Sequence, residues 1–223
     1  MVEHRRAAAG LLAVAVLALT GCGGSADGSG VVSGVTVSDP DGMNGAVLTE
    51  PYRWPAATLV DSHGDDLDIR AGLRTPLTLV FFGYSRCPDI CQAVMADLAS
   101  AVARLDEAQA SKVAVWFVTT DPARDDPAAL RAYLDRFNPD FEGLTGSLDD
   151  IKAVADAVHV TVEQGPRLPS GGYEITHGTP VLGVTPNGEV PIVWTQGTSA
   201  AKIAADIHTI LTDGIPTDGE SGS

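Results

Sequence analysis

Residues 77–95 read LTLVFFGYSRCPDICQAVM, and the change of pattern within them decides the fold. Leu77-Thr78-Leu79-Val80-Phe81-Phe82 is an apolar run with the length and composition of a buried strand. Gly83-Tyr84-Ser85-Arg86 breaks it. From Pro88 onward the period is helical, with Val94, Leu98, Val102 and Leu105 recurring every three or four residues. Two cysteines, Cys87 and Cys91, therefore sit where a buried strand hands over to a helix. Pro88 suits the first helical position, where its missing N–H costs nothing and its φ is already helical. This predicts Cys87 at the N-cap and Cys91 one turn in, on nearly the same face.

That placement carries chemistry. A helix N-terminus has unpaired N–H groups and a partial positive charge, which favour thiolate over thiol. Thiolate is the form that binds soft metals and attacks disulfides. Cβ atoms at i and i+4 of a regular helix lie about 5–6 Å apart, whereas a disulfide asks for about 3.5–4.5 Å. A disulfide here requires the first turn to deform; a metal ion between the sulfurs asks for less movement. The plain alternative is a pair of inert core thiols, against which stands their position flanking Pro88-Asp89.

Upstream, Thr58–Asp61 and Asp66–Ile69 read as a β-hairpin around Ser62-His63-Gly64-Asp65, with His63 exposed and idle at the tip. Farther back, residues 1–21 have the form of an export signal: Arg5 and Arg6, then an apolar stretch from Ala7 to Leu19. It ends in Leu19-Thr20-Gly21-Cys22, the pattern of a bacterial lipobox, which implies cleavage before Cys22 and lipid on that residue. Lipidation also accounts for an odd cysteine count of three. Several acyl chains anchor stably, so the expected location is the cell membrane, lipid-anchored and facing the extracytoplasmic side. Residues 22–45, rich in Gly, Ser and Asp, read as a flexible tether with Met43 solvated.

Downstream, Val113–Val118 is a second buried strand. Thr119–Pro127 supplies a loop and N-cap for a helix marked by Leu130, Leu134 and Phe137. Leu148 to Val158 is another helix, followed by a short strand over His159–Val162. Gln164 to Thr176, with Pro166, Pro169 and Gly171-Gly172, reads as a loop that delivers His177 to the strand Val181–Val184. Pro186-Asn187-Gly188 turns the chain into Val190–Trp194, and Ile203, Ile207, Ile210 and Leu211 mark a closing helix. Residues 214–223 read as a disordered tail. Alternating strands and helices predict an α/β fold, a central mixed sheet covered by helices on both faces with an N-terminal β-hairpin. The net charge of −15 argues against nucleic-acid binding and against electrostatic adhesion to anionic lipid.

FFGYSRCPDIC (81–91), TTDPARDDP (119–127), GLTGSLDDIKAVADAV (143–158) and the histidine of YEITHGTP (173–180) together resemble the Sco/SenC family. These are thioredoxin-like copper-binding proteins that help assemble cytochrome c oxidase. The resemblance spans about residues 46–213 and implies a thioredoxin-like domain there. It implies that Cys87, Cys91 and His177 are copper ligands. Thiolates suit Cu(I), and imidazole suits Cu(I) and Cu(II) alike. It implies delivery of copper to the copper-bearing subunit of cytochrome c oxidase or another copper-handling protein, or reduction of that subunit's cysteines. The chain departs from the family pattern at Gln92, Thr176 and Gly178, where proline, an acidic residue and serine are usual. The alternative is a thiol–disulfide oxidoreductase without a metal role, with Cys87 and Cys91 as its redox pair. Pro180 supports that alternative by position, because thioredoxin-like oxidoreductases carry a cis-proline facing their cysteines. An X–Pro bond is cis in only about 5–6% of cases, so composition by itself favours trans.

Overall fold

The computed structural model describes residues 37–38, 42–167 and 173–216. Their elements, in chain order, are β1 (Val37–Ser38), β2 (Ala46–Arg53), β3 (Thr58–Asp61), β4 (Asp66–Asp68) and β5 (Leu77–Gly83). Then come α1 (Ile90–Val102), α2 (Glu107–Ala110), β6 (Val113–Thr119), α3 (Pro127–Leu134), β7 (Glu142–Thr145) and α4 (Leu148–Ala157). The chain closes with β8 (Val162–Arg167), β9 (Tyr173–His177), β10 (Val181–Val184), β11 (Glu189–Trp194) and α5 (Ala200–Asp213).

One sheet runs β1-β2-β11-β10-β5-β6-β7-β3-β4, and β8 and β9 form a separate antiparallel pair. β5 and β6 pair in parallel from Leu77↔Val113 to Gly83↔Thr119, and β7 continues in parallel on β6. Every residue of β5 is buried, as expected for a strand covered on both faces. Period-two alternation sorts its side chains. Leu77, Leu79 and Phe81 join a core with Cys91, Met95 and Leu98 of α1, Leu130 and Leu134 of α3, and Ile203 and Ile207 of α5. Val80 and Phe82 join the opposite core with Trp54, Trp116, and Ile151 and Val154 of α4. The α/β mixed sheet with helices on both faces is thus present, and its β3–β4 hairpin pairs onward through β3 with β7.

Several expectations change. α1 starts at Ile90 rather than Pro88, and its N-cap is Asp89, whose side chain makes no capping bond. The Cys87 N–H donates instead to the Tyr84 carbonyl at 3.1 Å, closing a turn that holds the preceding residues out of the helix. The expected loop over 164–176 is a β8–β9 hairpin in its described parts, interrupted by an irregularity between Gln164 and Arg167. Gly165 and Pro166 at that irregularity hide the strand period. The strand expected from His159 begins only at Val162, because His159 sits at φ 57° and ends α4.

Asn44 and Gly45, expected within the tether over 22–45, are bonded to the folded domain. The carboxylate of Asp206, 1% exposed, accepts from the N–H groups of Asn44 at 2.9 Å and Gly45 at 2.8 Å and from Trp194 Nε1 at 2.7 Å. Met43 is correspondingly half-buried against the α1/α5 core rather than solvated. The signal segment 1–21, Cys22 and tail residues 217–223 lie outside the described residues.

Candidate metal centre

β5 ends at Gly83, and the first residues beyond it form the site. A Cβ on Gly83 would lie 2.9 Å from Phe81 Cε1, 3.0 Å from Phe117 Cε2 and 3.1 Å from Cys91 Sγ. Glycine is required there by space: it lets the Cys91 sulfur reach the strand backbone. The next residues turn through Tyr84–Cys87, and α1 then brings Cys91 back beneath the turn. Neither Cys87 nor Cys91 is in a disulfide, and they are 5% and 0% exposed. The Cys91 N–H points at Cys87 Sγ at 3.5 Å, so this sulfur occupies the acceptor role that Asp89 leaves unused. The expected convergence of the cysteines holds although the helix starts later.

The Thr119–Pro127 loop clamps this turn. Asp125, fully buried, accepts from the Ser85 N–H at 2.9 Å, from the Ser85 hydroxyl, and from the Thr119 hydroxyl at 2.7 Å. The Thr120 N–H donates to the Gly83 carbonyl at 2.6 Å. The Thr145 hydroxyl donates to the Asp125 carbonyl at 2.9 Å, fastening the loop to β7. Bonds to a buried carboxylate contribute about 1.5–3 kcal/mol each, so the cysteine turn is fixed by its neighbour rather than by its own helix. Asp121, 1% exposed, pairs with Arg124, and burial raises its carboxyl above the usual range. Its Oδ1 has no partner.

The electrostatics correct one expectation. Burial pushes the Cys91 thiol well above its ordinary value, with its contact to Cys87 next in size. The metal-free site therefore holds Cys91 as a thiol at neutral pH: desolvation outweighs the helix N-terminus. Tyr84 is pushed up to about 12, by burial first and by Cys87 and Cys91 next.

His177 closes β9, its backbone opposite Val162; its side chain lies outside the described residues. The following residue is fixed by the Gly178 N–H on the Thr161 carbonyl at 2.9 Å. β10 pairs antiparallel with β5, Val181 opposite Phe81. The segment from His177 to Pro180 thus enters at the same sheet end as Gly83 and the cysteine turn, as expected. No peptide bond among the described residues is cis, so Thr179–Pro180 is trans. His63 is exposed at the hairpin tip, 3.9 Å from Glu142 and away from the cysteines in the fold. Among the described residues no three His, Cys, Asp or Glu side chains converge. The donor set in view is the two sulfurs, a soft pair suited to Cu(I).

Sequence reasoning missed Gly83 as the residue that admits the sulfur, and missed Tyr84 and Tyr133, which the cysteines influence electrostatically. A glycine directly after a buried strand was a usable signal. Tyr133 had none, because an aromatic at a helix-core spacing reads as packing.

Comparison with known proteins agrees with this geometry. Protein sco1 of Schizosaccharomyces pombe is 35% identical over 118 residues, 52% of this chain and 43% of that protein. Among solved structures, copper-bound yeast Sco1 has a TM-score of 0.68 at 26% identity, covering 74% of this chain and 92% of that one. Copper-bound Arabidopsis thaliana ScoI has a TM-score of 0.64 at 25% identity, covering 70% and 97%. The chain spans between about two fifths and three fifths of the length of the curated relatives it matches. The SCO1/SenC family model matches residues 55–212, which include both cysteines, the clamping loop and His177, and the chain belongs to that family.

Proposed function

We propose that this protein is a membrane-anchored, extracytoplasmic copper chaperone that holds copper with Cys87, Cys91 and His177. The observation that carries this reading is the pair of buried cysteines not joined in a disulfide, Cys91 against Gly83 and its N–H 3.5 Å from Cys87 Sγ, in a fold similar to copper-bound yeast Sco1. Two sulfurs from one turn and a nitrogen from a distant hairpin leave an open side, through which a partner's ligands displace them one at a time. Cys87 is 5% exposed and Cys91 is fully buried, so exchange begins at Cys87. The receiving partner is the copper-bearing subunit of cytochrome c oxidase or another copper-handling protein. The basis is family membership together with a relative described as belonging to the Sco family of cytochrome c oxidase assembly proteins. Leu19-Thr20-Gly21-Cys22 supports lipid attachment at Cys22.

A thiol–disulfide role is the second reading, favoured by two cysteines one turn apart that are not joined in a disulfide. The trans Thr179–Pro180 bond takes away the positional argument for it. The two readings separate on one variant. His177→Ala weakens copper retention and chiefly loses Cu(II) if copper is the cargo. Disulfide exchange that survives this substitution, in a wild type without copper, favours the oxidoreductase. The test is copper content of wild type and His177→Ala purified from a copper-supplied extracytoplasmic compartment, followed by transfer to an apo copper-site domain. Stoichiometric copper in wild type alone supports the proposal; copper-free wild type overturns it.

A further inference from the structure

Arg86 and Asp89 stand on either side of Cys87-Pro88, and both are exposed. Among the described residues neither side chain has a hydrogen bond or an ion pair, with each other or with a third residue. Elsewhere the chain uses such groups. Arg53, Arg124 and Arg131 pair with carboxylates, and Arg70 and Arg136 bond to backbone carbonyls. Arg74 and Arg104 are exposed as well, but they precede β5 and follow α1, at the end of the sheet away from the cysteines. The other aspartates at helix N-caps, Asp106 and Asp126, accept from the Gln109 and Ala129 N–H groups, each at 2.7 Å. Asp89 occupies the same position on α1 and makes no such bond.

The backbone that carries these two charges is fixed. Ser85 is held by Asp125 through its N–H and its hydroxyl, and the Cys87 N–H is held by the Tyr84 carbonyl. The sulfur of Cys87 takes the Cys91 N–H, which leaves the Asp89 carboxylate without a helix donor. Asp121, the acid of the neighbouring loop, is buried and pairs with Arg124 rather than Arg86. A cation and an anion are thus set on a rigid turn, one before and one after Cys87, the more exposed of the two sulfurs. The chain carries 29 acidic against 14 basic residues. Its overall field repels an acidic surface, so a free cation beside Cys87 offers such a surface a local landing point.

We propose that Arg86 and Asp89 are the two poles of a docking surface for the copper-receiving protein, which presents an acidic group to Arg86 and a basic group to Asp89. This rests on the reading of the protein as a copper chaperone, and it adds the chemistry of the partner's face. Two opposite charges fix an orientation as well as an attraction, because a partner turned end for end meets like charges. The orientation matters here: ligand exchange starts at Cys87, so the partner's first ligand has to arrive between the two poles. Neither residue is a copper ligand, and both act on how fast and in which pose the partner arrives.

The test measures the second-order rate of Cu(I) transfer to the soluble apo copper-site domain of the cytochrome c oxidase subunit, at low salt and at about 1 M, where charges are screened beyond about 3 Å. It compares wild type, Arg86→Asp, Asp89→Arg and the double exchange Arg86→Asp/Asp89→Arg, which keeps the net charge and reverses the poles. Cu(I) affinity and thermal unfolding of the metal-free protein are read for each. The inference expects each single variant and the double exchange to transfer about tenfold more slowly than wild type at low salt. It expects the difference to shrink at high salt, with Cu(I) affinity and unfolding close to wild type. The neutral variants Arg86→Gln and Asp89→Asn should fall between, and they replace any reversal that fails to fold. Rates that follow net charge, with the double exchange equal to wild type, show a general field and overturn the inference. So do unchanged rates, or losses that only mirror weaker Cu(I) binding or lower stability, as a support of Asp121 by Arg86 would give. Wild type that binds no copper overturns the chaperone reading and this inference together; wild type that transfers as fast as every folded variant overturns this inference alone.

Discussion

Gly83→Ala isolates the contact on which the site is built. The added methyl would stand 2.9 Å from Phe81 Cε1, 3.0 Å from Phe117 Cε2 and 3.1 Å from Cys91 Sγ. Optimal carbon separations are about 3.5–4.0 Å, so both ring contacts are short by about half an ångström. Neither ring has room to withdraw. Phe81 and Phe117 are fully buried and face each other with centroids 6.2 Å apart. The backbone is pinned as well, because Gly83 pairs in register with Thr119 and its carbonyl accepts from Thr120. Forcing a methyl group into such a site costs about 1–3 kcal/mol, and for a domain of this size that lowers Tm by roughly 5 °C. The compliant partner is the sulfur at the start of α1, so Cys91 is displaced away from the strand and Cu(I) affinity falls along with stability. Urea unfolding of the metal-free variant and Cu(I) competition against a chromophoric chelator measure the two effects separately. A variant with wild-type stability and wild-type affinity would refute the claim that Gly83 admits the sulfur.

Asp125→Ala removes the acceptor of Ser85 and Thr119; it is expected to cost about 2–4 kcal/mol in chemical unfolding and to weaken copper binding by loosening the cysteine turn. Asp206→Ala leaves Asn44, Gly45 and Trp194 donors unpaired. A comparable loss of stability is expected there, with copper affinity unchanged in the material that remains folded. Because burial raises the Cys91 thiol, metal uptake expels its proton. Apparent Cu(I) affinity then rises with pH through neutrality, by up to about tenfold per unit for each proton released; a flat profile in a competition titration from pH 6 to 8 contradicts this. Cys22→Ala is expected to leave the domain folded and move it from the detergent-rich to the aqueous phase in detergent partitioning. Unaltered partitioning removes the lipobox reading.

What the sequence disclosed follows from how locally each feature is encoded. The β5 run, the helical period after Pro88 and the β3–β4 turn are set within a dozen residues, and all are present. The ends of elements were harder. Pro88 is a good first helical residue, but the Tyr84–Cys87 turn holds it outside α1, a competition that spacing does not reveal. β2 and β7 were not read as strands, since Ala46–Arg53 carries Glu50 and Pro51 and β7 is only four residues long. The cysteine pair was legible because chemistry and position coincide in five residues. The Asp125 clamp was visible as a distinctive stretch but not as a clamp, because its partner Ser85 lies 40 residues away. The Cys91 thiol was expected to ionise readily from its helix position alone. Its complete burial, which comes from Phe81, Phe117 and the sheet behind them, reverses that.

X-ray absorption at the copper edge of the Cu(I)-loaded protein tests the central claim most directly. The account predicts one copper per chain, coordinated by two sulfurs and one imidazole nitrogen. Cys91→Ser should lose one sulfur along with tight binding, and His177→Ala should lose the nitrogen while keeping both sulfurs. A copper shell without sulfur, or one that Cys91→Ser leaves intact at full affinity, would contradict it.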